Sequence, residues 1–114
     1  MEFQLEELIK NIVIGMLDFI EDEDDADYNE SDVAKCKASL EVFVEKLSSN
    51  GIENEDAFSA IETLVISLNK LNESCDECLI ETDQREEICE LIFMALSQAN
   101  IPFEGDPTEE WREW

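Results

Sequence analysis

Apolar residues recur at intervals of three and four along the start of the chain. Leu5, Leu8, Ile9, Ile12, Val13, Met16 and Ile20 fall on one face when the segment is wound as an α-helix. Phe3, Ile14, Leu17 and Phe19 widen that stripe, so the first helix is expected to be central or to touch two neighbours. The same period returns three times. Val33, Cys36, Leu40, Phe43, Val44 and Leu47 form a second stripe, and Phe58, Ile61, Leu64, Val65, Leu68 and Leu71 a third, fading at Asn72. Ile88, Leu91, Ile92, Ala95, Leu96 and Ala99 form the fourth. The pattern predicts helices over residues 3–20, 31–49, 55–72 and 83–99, with a tail over 100–114.

Polar punctuation agrees with these limits. Asn29 or Ser31 can cap the second helix, and Gly51 suits the left-handed position after it, with Ile52 folding back on Leu47. Asn54 is positioned to cap the third, where Glu55 and Asp56 complement the helix dipole. Asp83 and Glu86 have capping-box spacing at the fourth, and Asn100 and Pro102 end it. No internal repeat is present, and no strand-like alternation runs beyond a few residues. One domain over 1–114 is expected: all-α, a four-helix bundle with antiparallel neighbours and an acidic C-terminal tail.

Charge changes the picture from fold to function. Among 114 residues there are 31 Asp and Glu against 7 Lys and Arg, and the formal net charge is -24. Small domains more usually carry a net charge of magnitude about 2–8. Self-repulsion at this level opposes a compact state and exceeds what solubility needs, which points to selection by a cationic partner. The few bases, Arg85 and Arg112 among them, form no cluster, so direct binding to nucleic acid phosphates or to an anionic membrane surface is not expected. Glu2, Glu6 and Glu7 stand where a secretory signal would be basic, and the apolar run from Ile12 to Ile20 is short and broken by Asp18. A cytoplasmic location is the expectation, with Cys36, Cys75, Cys78 and Cys89 reduced.

Catalytic chemistry finds little to work with. Histidine is absent, which removes the commonest general base and metal ligand, and three glycines cannot build a phosphate-cradling loop. Cys75 and Cys78 are separated by Asp76 and Glu77, whose charges disfavour a thiolate, so neither redox chemistry nor a four-cysteine zinc site is expected. Asp25, Asp27 and Asn29 match the first positions of a calcium loop. Glu30 then stands where that loop turns on Gly, and Cys36 where it needs a bidentate Glu. No enzyme activity, metal or cofactor is expected.

Binding is left. From Asp18 to Asp32 the chain carries acids and no base, and Asp18, Glu21, Asp22, Glu23, Asp24, Asp25 and Asp27 are candidates to meet Arg and Lys of a partner through charge-assisted pairs. In the tail, Glu109, Glu110, Trp111 and Trp114 are further candidates: a Trp anchors while acids steer. The competing expectation is a tail folded back over the bundle. Size, acidity, helical period and the Trp-bearing stretch from Gly105 to Trp114 make the chain resemble small immunity proteins of bacterial polymorphic-toxin and contact-dependent inhibition systems. The resemblance implies a basic toxin domain, such as a nuclease, as partner, bound by a monomer or weak dimer, and assigns no residue roles. A nucleic-acid mimic acting on a DNA-binding enzyme is the first alternative, with acids spread along an elongated face. A homodimeric adaptor joined through Phe93, Met94 and Phe19 is the second.

Overall fold

The computed structural model describes residues 2–22, 28–48, 51–77, 79–103, 105, 107–109 and 111–114. Four helices follow one another: α1 (Glu2–Asp22), α2 (Glu30–Leu47), α3 (Asn54–Ser74) and α4 (Thr82–Gln98). No strand occurs among the described residues. The stripes face inward. Ile12, Met16, Cys36, Leu40, Phe43, Ile61, Leu68, Ile88, Leu91 and Leu96 make one continuous core.

Helix α1 packs on both α2 and α4, as its broad stripe predicts, and α3 packs on the far side of α2. Gly15 brings α1 close to α4, since a Cβ there would lie 3.1 Å from Gln84 Nε2. Two of the widening residues nevertheless remain outside, Ile14 at 44% and Leu17 at 36% exposure. Among the described residues α3 and α4 barely approach each other, so the helices alone leave one seam of the bundle open.

Neighbours run antiparallel, and this fixes which ends meet. The Tyr28 hydroxyl donates to the Met16 carbonyl at 3.3 Å and its ring stacks on Phe19, turning the chain from α1 into α2. Tyr28 is buried, although it stands in a stretch that reads as acidic loop.

The caps differ from the sequence reading at two helices. Asn29 does cap α2: its Oδ1 accepts from the Asp32 N–H at 3.2 Å, and Asp32 Oδ2 accepts from the Asn29 N–H at 3.1 Å. Asn54, however, is already helical, and Glu53 occupies the N-cap of α3 with no side-chain bond. At α4 the N-cap is Glu81 in place of Asp83, and its N–H donates to Gln84 Oε1 at 3.3 Å. Beyond α2, Gly51 takes the expected left-handed conformation, with φ 75°.

Helices α3 and α4 both end in Schellman turns without glycine. After α4, Asn100 is left-handed, and the Ile101 N–H reaches back to Leu96 O at 2.9 Å. After α3, Asp76 and Glu77 are both left-handed, at φ 56° and 60°. Asn72 O accepts from Cys75 N–H at 3.0 Å and Glu77 N–H at 2.8 Å. The buried Asn72 side chain then takes the Ile80 N–H on Oδ1 at 2.9 Å, which turns Leu79 and Ile80 into the core.

Candidate functional site

The α1–α2 and α3–α4 connections lie at the same end of the bundle. Asp32 and Lys35, from the start of α2, act electrostatically on Cys75 at the end of α3. Gln84, from the start of α4, sits against Gly15 in the second half of α1. Two acidic stretches far apart in sequence therefore converge. Asp18, Glu21 and Glu30 come from one stretch, and Glu73, Asp76, Glu77, Glu81, Asp83 and Glu86 from the other, all exposed.

Of the predicted partner-binding residues, Asp18 and Glu21 are exposed at this pole and Asp22 ends α1. Glu23, Asp24, Asp25 and Asp27 lie outside the described residues, as does Glu110. Glu109 is exposed, while Trp111 and Trp114 are half-buried against the core.

The tail folds back and fills the seam between α3 and α4. Its key is Asn69, half-buried on α3. Asn69 Nδ2 donates to the Trp111 carbonyl at 2.7 Å, and Asn69 Oδ1 accepts the Glu113 N–H at 3.1 Å. One carboxamide thus grips the tail backbone at two points, and its Nδ2 also reaches the Glu113 carboxylate at 3.5 Å. On the α4 side, Arg112 Nη1 donates to Cys89 Sγ at 3.0 Å and to Thr108 Oγ1 at 3.4 Å, and the guanidinium lies 5.5 Å from the Trp114 ring centroid. Thr108 is buried, and its carbonyl accepts the Trp111 and Arg112 N–H groups, closing a turn.

Two features of this docking are unfavourable. Trp114 Nε1 is buried with no hydrogen-bond partner among the described residues. An indole N–H left this way costs about 1–3 kcal/mol. Beside Trp114, Glu73, Asp76, Glu77 and Glu113 line one polar cleft of about 440 Å³, together with Asn69 and Asn72. Four carboxylates share that cleft, and a second one continues from Trp114 over Glu81, Asp83 and Arg85.

Cys36 and Cys75 are placed as space-fillers, and Cys89 as the acceptor for Arg112. Cys36 and Cys75 are buried and Cys89 half-buried, all free, and Cys78 lies outside the described residues. Burial, with the nearby Cys75 adding to it, pushes the Cys36 thiol up to about 12. Burial raises Cys75 as well. Among the described residues no three His, Cys, Asp or Glu side chains are grouped to hold a metal ion, and no helix is long and apolar enough to cross a membrane.

The apolar surface is not where the sequence suggests. Phe93 and Met94 are half-buried against the core, Phe93 stacks on Phe103 and Phe19 on Tyr28. A groove of about 520 Å³ runs instead between α1 and α2, with Ile9, Val13, Ile14 and Val44 along its floor and Lys10 and Lys37 among its rim residues.

Asn69 and Asn72 escaped the sequence reading. Asn72 had a signal, because it continues the Leu64, Leu68 spacing as a polar residue on a buried stripe and so needs a partner. Asn69 had none, since its partners lie more than forty positions away.

This geometry defines an acidic helical bundle with a docked tail. No protein-family pattern matches the chain, and comparison with characterised proteins and with solved structures finds no match.

Proposed function

We propose that the protein is an acidic inhibitor that captures a basic protein, in the manner of an immunity protein covering the active-site cleft of a nuclease toxin. The convergence of two acidic stretches at one pole carries this reading. A cleft built for phosphates has focused positive potential, and a pole presenting Asp18, Glu21, Glu73, Glu77, Asp83 and Glu86 competes with nucleic acid for it. Carboxylates at such density raise the association rate more than the final affinity, which suits neutralisation of a lethal partner.

A second reading, mimicry of nucleic acid, is favoured by one observation. Acids also stand at the other end of the bundle, at Glu6, Glu7, Glu53, Glu55 and Asp56, along a molecule 45 Å in its longest dimension. The two readings diverge under mutation. Asp18→Lys, Glu21→Lys, Glu73→Lys and Glu77→Lys combined are expected to slow association with the basic partner at least tenfold in stopped-flow mixing at low salt. Reversing Glu53, Glu55 and Asp56 instead is expected to change the rate little for an inhibitor and comparably for a mimic. Association rates indifferent to both charge reversal and salt, with a panel of basic nuclease domains including any encoded beside this gene, overturn capture through charge.

A further inference from the structure

We infer that the C-terminal segment is an electrostatically poised strap: it opens from the α3–α4 seam without unfolding the helices, and the charge at the acidic pole sets how far it is closed. Three observations converge on this. The segment is attached largely through side chains: the Asn69 carboxamide holds Trp111 O, the Glu113 N–H and the Glu113 carboxylate on one side, and Arg112 donates to Cys89 on the other. Its approach from α4 passes through Asn100, Pro102, Gly105 and Pro107, with left-handed turns at Asn100 and Gly105 that lie outside the helical core. The docked state also holds two strains that release removes: the buried Trp114 Nε1, without a partner among the described residues, and the placing of Glu113 in one cleft with Glu73, Asp76 and Glu77.

An indole freed from the seam finds water for its N–H, and Glu113 leaves three like charges. Opposing these are the partial burial of both Trp rings, the Arg112 bond to Cys89, and the hold by Asn69 on Trp111 O, the Glu113 N–H and, at 3.5 Å, the Glu113 carboxylate. Screening or neutralising the pole therefore closes the strap, and low ionic strength opens it. Resting on the proposed capture of a basic partner, the inference extends to coupling: a cationic surface arriving at the pole closes the strap, and a closed strap presents a pole already shaped for it.

The molecule carries its own reporter, because its two Trp residues, Trp111 and Trp114, both lie on the strap. Tryptophan emission and acrylamide quenching of the full chain are to be followed from 10 mM to 500 mM NaCl, and separately with submillimolar spermine at 10 mM NaCl, with helicity recorded by circular dichroism. The expected result is a blue shift and an at least twofold fall in the quenching constant with either addition, at constant helicity. Glu113→Gln, an exposed change, is expected to be closed already at 10 mM NaCl and to lose most of the response. Asn69→Ala is expected to stay red-shifted throughout with helicity retained.

Emission insensitive to salt in the wild-type chain, or a blue shift that rises in step with helicity, overturns the strap. A response to NaCl without one to spermine overturns the coupling to a cationic partner and leaves the strap standing. A strap that responds to both, in a chain whose association with basic nucleases ignores charge, leaves the strap intact and sinks the capture reading alone.

Discussion

Two asparagines three positions apart on α3 show how single side chains organise this molecule. Asn69 holds the tail and Asn72 holds the loop between α3 and α4. Asn72 is buried, its side-chain oxygen is the acceptor for the Ile80 N–H, and its backbone carbonyl receives two further N–H groups. Replacing it by Ala strands the Ile80 N–H among apolar neighbours, and such a group costs about 1–3 kcal/mol when left unpaired. Asn72→Ala is expected to lower the urea midpoint accordingly. Asn72→Asp keeps an acceptor but adds a charge to a buried site at an already acidic pole, and is expected to do no better. Equal midpoints for wild type and Asn72→Ala would show that water replaces the side chain. Local signals of this kind are only half legible. Asn29 with Asp32 stands out because both halves of the cap lie within one turn, and Tyr28, Leu79 and Ile80 do not, because the residues that bury them are remote in sequence.

At the scale of the element, the stripes located all four helices to within two residues at each end, since burial of one face is what makes each segment helical. Asn54 and Asp83 are good caps in isolation, yet the chain caps α3 and α4 one and two residues earlier, at Glu53 and Glu81. Helix α4 also carries a conflict that periodicity does not reveal. Burial raises the carboxyl of Glu87, and Asp83 and Glu90, one turn to either side, raise it further. The folded chain thus holds the Glu87 proton more tightly than the unfolded chain does. The associated stability is fully present below the unfolded carboxyl value and is lost as pH rises through the raised folded one. At neutral pH the charge at Glu87 therefore works against the fold. Each like-charge neighbour one turn away destabilises a helix by about 0.2–0.5 kcal/mol. Glu87→Gln is expected to raise stability at pH 7 by roughly 0.5 kcal/mol, with the gain shrinking as pH falls toward 4. Denaturant melts of both chains at pH 4, 5.5 and 7 measure this, and a gain independent of pH would locate the effect in packing instead.

At the scale of the whole molecule, topology does what no single segment announces. An up-down-up-down course places the α1–α2 and α3–α4 connections together, so acidic stretches separated by some forty residues become one surface. The total charge was plain from composition, and the pole was not, because it depends on which helix ends meet. The same arrangement sets a global electrostatic load. The Debye length is about 30 Å at 0.01 M salt and about 10 Å at 0.1 M. In a body measuring 45 × 28 × 20 Å, most carboxylates feel one another in the first condition and only near neighbours in the second. Raising NaCl from 10 mM to 200 mM is therefore expected to stabilise the fold. In a domain of about this size each 1 kcal/mol shifts the midpoint by roughly 4–8 °C, so a rise of several degrees in Tm is expected, most of it complete by 200 mM. Charge reversal at Glu73 and Glu77 should yield part of the same rise at low salt, because those positions belong to the crowded pole, whereas reversal at the exposed Glu41 on the side of α2 should yield less. Equal gains at all three positions would mean that repulsion is spread evenly over the surface, and the pole would lose its claim to be a distinct feature of the fold.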